Sequence, residues 1–194
     1  MKLVLASTSK FKNAIMDKVG MQHDKMNSDF DELSVNSGDV YQYVEDLALG
    51  KAKSIKDKVN NCIILGLDTV VYVDGKILEK PTDLNNAREN LKLSANKITS
   101  VITGICLINM VTSEIIQDYQ ETKVSLNKIS DEDIEYYIEH EPDVMYASGF
   151  IIETIASNFI KKIDGSFYNI LGVPVEKIYE HLLNWDIHLK DLEK

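Results

Sequence analysis

The sequence predicts an α/β fold, a mixed, twisted sheet flanked by helices with a central cleft. Three observations predict it. The chain opens with a strand-like run, a hydroxyl-rich turn and a helical pattern in immediate succession, at residues 2–6, 7–10 and 11–19. Residues 62–67 are apolar on both sides, as in a strand covered on both faces. Long strand-like runs at 98–110 and 115–126 alternate with segments of helical period.

In order, residues 24–38 are polar, include the acidic run Asp29, Phe30, Asp31, Glu32, and read as a loop or short strand. From 39 to 59, Val40, Tyr43, Val44, Leu47, Ala48, Ala52 and Ile55 fall on one helical face. The strand at 62–67 runs into Asp68 and Thr69, and 70–78 carries a hairpin signal with Asp74-Gly75 at its turn. After the loop Glu79-Lys80-Pro81, Thr82 or Asp83 caps a helix to about Ser94. Two strands follow, antiparallel across residues 111–113. Ser130 with Asp133 forms a capping-box signature. A strand at 159–163, a turn at 164–166 and a helix from Pro174 to about Trp185 complete the chain. Without repeats, low-complexity stretches or linkers, residues 1–194 read as one domain, with two lobes around the cleft as a variant of that reading.

Composition narrows the partners. A formal charge of −10, spread along the chain, argues against binding polymeric nucleic acid, which needs a basic surface. It leaves room for a small anion held by a few lysines and a divalent cation. Cys62 and Cys106 each sit in an apolar run without metal-ligand spacing, so they read as buried reduced thiols. Of four scattered histidines, His140, His181 and His188 are expected on helix faces or the tail. No run approaches the ~20 apolar residues that span a bilayer, and no signal peptide opens the chain, so the expected location is cytoplasmic. A homodimer stands as one option for its assembly.

The opening turn is where an anion would sit, because the unpaired N–H groups of a first helical turn point outward and the helix dipole favours negative charge there. Ser7, Thr8, Ser9, Lys10 and Lys12 suit phosphate oxygens; the other reading is an ordinary N-cap with solvated lysines. Asp68 stands directly after a buried strand, at the edge where α/β folds place ligands, and is either a cation-binding or water-orienting carboxylate or a turn aspartate. Glu32, Lys51 and Lys80 taken singly read as surface charges, and the hydroxyls of residues 99–103 as ordinary strand threonines and serine or as ligand-facing groups.

Taken together the segments resemble the Maf family of nucleoside triphosphate pyrophosphatases. Its opening LASxSPRR is similar to Leu5 through Lys12, its early acid matches Glu32, and its KA matches Lys51-Ala52. GADT matches Gly66-Leu67-Asp68-Thr69, GKP matches Glu79-Lys80-Pro81, and V-x-TG matches Val101 through Gly104. The closing KKIDGxYxNVxGLP is similar to Lys161 through Pro174. The resemblance implies a Maf/inosine-triphosphatase-like fold with a nucleotide in the cleft, and hydrolysis between the α- and β-phosphates with Mg²⁺ or Mn²⁺. It implies Glu32 and Asp68 as metal ligands, Asp68 as general base, Lys80 as a catalytic charge, and Ser7, Ser9, Lys10, Lys12 and Lys51 as phosphate contacts.

Departures bear on substrate. The Pro-Arg-Arg of the opening motif is Lys10-Phe11-Lys12, which removes two bidentate forks. Glu79 replaces the glycine of GKP, Thr99 stands where many members carry His, and the AGxYGIQG loop has lost several glycines. Glu153 and Phe11 resemble the branch that acts on N7-methyl-GTP. A carboxylate can accept from both N1–H and N2–H of guanine, and an aromatic face attracts a cationic base. Thr69 resembles the dTTP/UTP branch instead. Expected substrates are therefore modified or guanine-type nucleotides, with dTTP and UTP as the alternative. A low-activity nucleotide-binding regulator of cell division and an inosine-triphosphate pyrophosphatase are the competing readings.

Overall fold

The computed structural model describes residues 1–95 and 97–193. Among them the strands are β1 (Lys2–Leu5), β2 (Asp24–Lys25), β3 (Cys62–Val73), β4 (Lys76–Leu78), β5 (Ile98–Asn109), β6 (Ile115–Leu126) and β7 (Ile160–Asp164). The helices are α1 (Lys10–Lys18), α2 (Val40–Ser54), α3 (Leu84–Ala95), α4 (Asp131–His140), α5 (Phe167–Ile170) and α6 (Val175–Leu183). The strands form one mixed, open sheet in the order β2-β1-β3-β5-β6-β7, with β4 beside β3. β1 is parallel to both β2 and β3, as the helical crossover between β1 and β3 requires, whereas the β3/β4 and β6/β7 pairs are antiparallel. The α/β expectation holds.

The chain divides into two compact units. The first comprises residues 1–69, 102–120 and 166–194, the second 70–101 and 121–165. In the first, strand alternation sends Leu3, Leu5, Ile63, Leu65 and Leu67 into one core with Met16 of α1 and Ile178 and Leu182 of α6. Val4, Ala6, Cys62 and Ile64 face the other way, into a core with Ala48 and Ala52 of α2. The sheet of this unit is therefore covered on both faces, as the unbroken apolar run at 62–67 predicts. The second unit has one core, in which Ala87 and Leu91 of α3 meet Ile134, Tyr137 and Ile138 of α4.

Two glycines set how closely α2 lies on the sheet. A Cβ on Gly66 of β3 would overlap the Ala48 carbonyl oxygen, and one on Gly104 of β5 would overlap that of Val44. Only hydrogen fits at either position.

Local chemistry defined several boundaries as expected. Asp83 caps α3 by accepting from the N–H groups of Asn85 (2.8 Å) and Asn86 (2.9 Å). Ser130 and Asp133 close the capping box of α4. Other expectations need correction. The helix predicted for 39–59 ends at Ser54, after which Ile55 turns inward, fully buried, and residues 56–58 continue as one 3-10 turn. The strand does not stop at Leu67. β3 runs unbroken to Val73, so Asp68 and Thr69 lie within a strand rather than beyond its end. What changes at Asp68 is burial, from covered on both faces to half-covered. His181 is buried against Asp118, its Nε2 2.9 Å from the carboxylate, rather than lying on an outer helix face. Both cysteines are buried and free, and burial pushes the Cys106 thiol up to about 12. No helix among the described residues is long and apolar enough to cross a membrane.

Candidate active site

The first unit gathers the strongest concentration of predicted residues. β1 ends at Leu5, and the turn from Ala6 to Ser9 feeds α1 directly. Ser9 is the N-cap, accepting from the Lys12 N–H at 3.5 Å, and Ser7 Oγ accepts from the Ser9 N–H at 3.2 Å. Behind this turn stands Asn13, buried, whose Nδ2 donates to the carbonyls of Ser9 (2.7 Å) and Ser7 (3.3 Å). Its Oδ1 lies 2.9 Å from Nε2 of the equally buried His23. The turn is thus held from beneath by two polar side chains that no motif named.

Of the first-turn side chains, Lys10 and Phe11 are exposed, with the Lys10 ammonium 4.9 Å from the ring centroid. Phe11 is 40% exposed and does not pack into the core. Lys12 turns inward instead. Its ammonium donates to the Leu67 carbonyl at 2.9 Å, one residue before Asp68. On β3, the Thr69 hydroxyl lies 3.0 Å from that of Thr103 on β5.

Lys51, Asp68 and Glu32 form one cluster. α2 brings the Lys51 ammonium onto the Asp68 carboxylate of β3, and the same ammonium lies 2.9 Å from Glu32. Glu32 comes from a 3-10 turn, Glu32–Ser34, which Asp31 caps by accepting from the Leu33 N–H at 3.1 Å. Phe30 fixes that loop to α2, because its ring occupies the space over Gly50, the residue before Lys51. Lys51 and Asp68 are largely buried, at 14% and 13% side-chain exposure, while Glu32 is open at 54%. Burial pulls the Lys51 pKa down, but the charges and hydrogen bonds of Asp68 and Glu32 outweigh it and leave the group above its ordinary value.

Two carboxylates converging on one ammonium leave an excess of negative charge. That donor set fits a hard divalent cation, which takes one or two protein carboxylates and completes its shell with water and phosphate oxygens. Among the described residues no group of three or more His, Cys, Asp or Glu side chains forms such a site from protein alone.

Lys80 and Glu153 belong to the second unit and are both exposed. Lys80 follows β4 in a loop whose Glu79 carbonyl accepts from Asn90 Nδ2 of α3 at 3.0 Å. Glu153 lies in the loop before the 3-10 turn Ile155–Phe159. On β5, Ser100 donates to Glu121 at 2.6 Å, and the Thr99 hydroxyl is buried without a partner among the described residues.

A family profile described as Maf-like protein matches residues 2–185. The chain belongs to the Maf family. A protein of Clostridium perfringens named dTTP/UTP pyrophosphatase is 33% identical over 189 residues, covering 96% of this chain and 98% of that one. Proteins of the same name from Acholeplasma laidlawii and Clostridium botulinum are 34% and 36% identical, over 95% and 92% of this chain and 97% and 96% of theirs. Seen as a Maf protein, the chain has motif glycines with a steric purpose. Gly66 and Gly104 admit α2 to the sheet, and that close approach is what delivers Lys51 to Asp68. The residues missed in sequence are those acting from behind: Asn13, His23 and Phe30. Phe30 had a signal, as the lone aromatic in an acidic run; Asn13 and His23 had none.

Proposed function

We propose that the chain is a nucleoside triphosphate pyrophosphatase, adding water across the α–β anhydride to give a nucleoside monophosphate and pyrophosphate. The observation that carries this reading is the Glu32–Lys51–Asp68 cluster beside the capped turn of α1. Glu32 and Asp68 would hold Mg²⁺ or Mn²⁺, which would supply neutralisation of phosphate charge and a lowered water pKa. Asp68 takes the proton of the attacking water. Lys51, already cationic and partly desolvated, exchanges a carboxylate for a phosphate oxygen as substrate arrives, where its charge counts for more than in bulk water. Lys12, with Ser7, Ser9 and Lys10, receives the remaining phosphate oxygens at the helix N-terminus. Lys80 adds a further positive charge. Residues 1–194 act as one catalytic domain, in the cytoplasm, on a free nucleotide rather than on polymeric nucleic acid.

The names of the relatives, and Thr69 after Asp68 as in the dTTP/UTP branch, favour dTTP and UTP as substrates. Exposed Phe11 and Glu153 support guanine-type or N7-methylated guanine nucleotides as the second reading. A panel of dTTP, UTP, GTP and N7-methyl-GTP with Mg²⁺ or Mn²⁺, read by pyrophosphate release, decides between them. The expected leaders are dTTP and UTP; guanine-type leaders reverse the order, and no release from any nucleotide sinks the activity.

A further inference from the structure

The exposed Glu153 sits on a loop that two buried side chains tie down, Tyr137 of α4 and Glu141 directly after that helix. Tyr137 is fully buried, and its hydroxyl oxygen accepts the Ile151 N–H at 2.8 Å. Its ring packs on Phe150 at 5.2 Å between centroids, and Phe150 in turn meets Phe159 at 6.0 Å. One helical turn on, Glu141 is 5% exposed, and its carboxylate accepts the Thr154 hydroxyl at 2.5 Å and the Asp143 N–H at 3.2 Å. Thr154 Oγ1 also lies 2.9 Å from the Ile151 carbonyl. Residues 151 and 154, which bracket Glu153, are therefore fixed to α4 and to the residue that caps its end. A carboxylate kept this dry must be matched to its donors, so Glu141 fixes the register of Thr154. The Tyr137 bond holds the backbone at Ile151, where the buried hydroxyl accepts its N–H. Burial, reinforced by the Glu141 and Glu153 carboxylates, pushes the tyrosine hydroxyl well above its ordinary value against the pull of the Ile151 bond, so it stays neutral.

We propose that Tyr137 and Glu141 are positioning residues for base selection, holding the 150–154 loop so that Glu153 meets the base edge in one orientation. The inference rests on the pyrophosphatase reading and deepens it. A polar group reads a base only when it is held to within a fraction of an ångström, and a loop side chain gains that precision from the bonds behind it. Neither residue touches substrate.

Tyr137→Phe keeps the ring and its packing and removes only the acceptor; Glu141→Gln keeps shape and removes the charge. Steady-state kinetics of the wild type, both variants and Glu153→Ala on the nucleotide panel test the idea. The expected result is a loss of about tenfold in the kcat/KM ratio of GTP to dTTP, carried by KM rather than kcat. Tyr137→Phe added to Glu153→Ala is expected to change that ratio no further. A folded Tyr137→Phe with the wild-type ratio overturns the inference, as does an equal loss on every nucleotide carried by kcat. Turnover of nucleotides with unchanged selectivity overturns this inference alone, whereas a wild type without turnover overturns the pyrophosphatase reading and this with it. Should Glu141→Gln not fold, Tyr137→Phe alone decides.

Discussion

In the first unit Glu32 and Asp68 both meet the Lys51 ammonium, which a helix laid against a sheet buried on both faces brings to them. In the second unit Lys80 and Glu153 stand exposed on loops, and what holds them is the backbone around them. Asn90 of α3 binds the Glu79 carbonyl, Tyr137 of α4 binds Ile151, and Glu141, just past α4, binds Thr154. The difference teaches where each kind of work belongs. Under the proposed reading, the first-unit charges that meet the phosphate chain are set by direct contact and deep packing. Lys80 and Glu153 instead ride on loops whose geometry is set from behind, where small changes re-aim them without disturbing the core.

The largest break in this comparison should come from Asp68→Asn, which keeps the strand and the shape but removes the proton acceptor. Turnover is expected to fall about 10²–10⁴-fold, measured as pyrophosphate release, with circular dichroism confirming the fold. Near wild-type turnover in a folded variant would return Asp68 to a structural role.

Next in size are the lysines. Lys51→Ala and Lys80→Ala should each cost about 1.5–3 kcal/mol in kcat/KM, the scale of one charge-assisted contact. Lys51 belongs at the upper end, since its removal leaves two carboxylates facing each other. Equal and negligible losses for both would erase the contrast between a contact-built and a loop-borne site.

Glu153→Gln should be milder. The amide can pair with an N–H flanked by two acceptors, as in thymine and uracil, so preference should move toward dTTP and UTP by about 1–3 kcal/mol relative to GTP. A variant whose kcat/KM ratio of dTTP to GTP equals that of the wild type would show that Glu153 does not meet the base.

The smallest effect sharpens the comparison from within the first unit, at the ion cluster of Asp118, Lys177 and His181, which is no part of the proposed site. Burial raises the Asp118 carboxyl pKa, but Lys177, the Tyr119 N–H and His181 together outweigh it and hold the group below its ordinary 3.8. A carboxyl lowered in the folded state stabilises above the unfolded value and loses that contribution as pH falls through the folded one. Thermal midpoints of Asp118→Asn should therefore drop less steeply than those of the wild type below about pH 4, with kcat unchanged. Parallel acid slopes would contradict the assignment.

Much of the fold was legible because it is written in local chemistry. Asp83 and Ser130 announce their helices by capping, and Gly66 with its apolar neighbours announces a two-sided strand. The end of that strand was not legible. Hydrophobicity changes at Asp68 while backbone extension continues to Val73, and a pattern of side chains reports burial rather than strand pairing. α5 spans only four residues, too few for a period to show. In the site, the acids and lysines could be named because several motifs stand in order along the chain. The residues behind them could not, since Asn13 with His23 and Tyr137 with Ile151 meet only after folding, ten and fourteen positions apart, through bonds that leave no periodic trace.

Product analysis of the wild-type chain given dTTP and Mg²⁺ tests the central claim most directly. The account predicts dTMP and pyrophosphate in equal amounts, with release abolished by a chelator and restored by added metal. Formation of dTDP and orthophosphate, or no product at all, would contradict it.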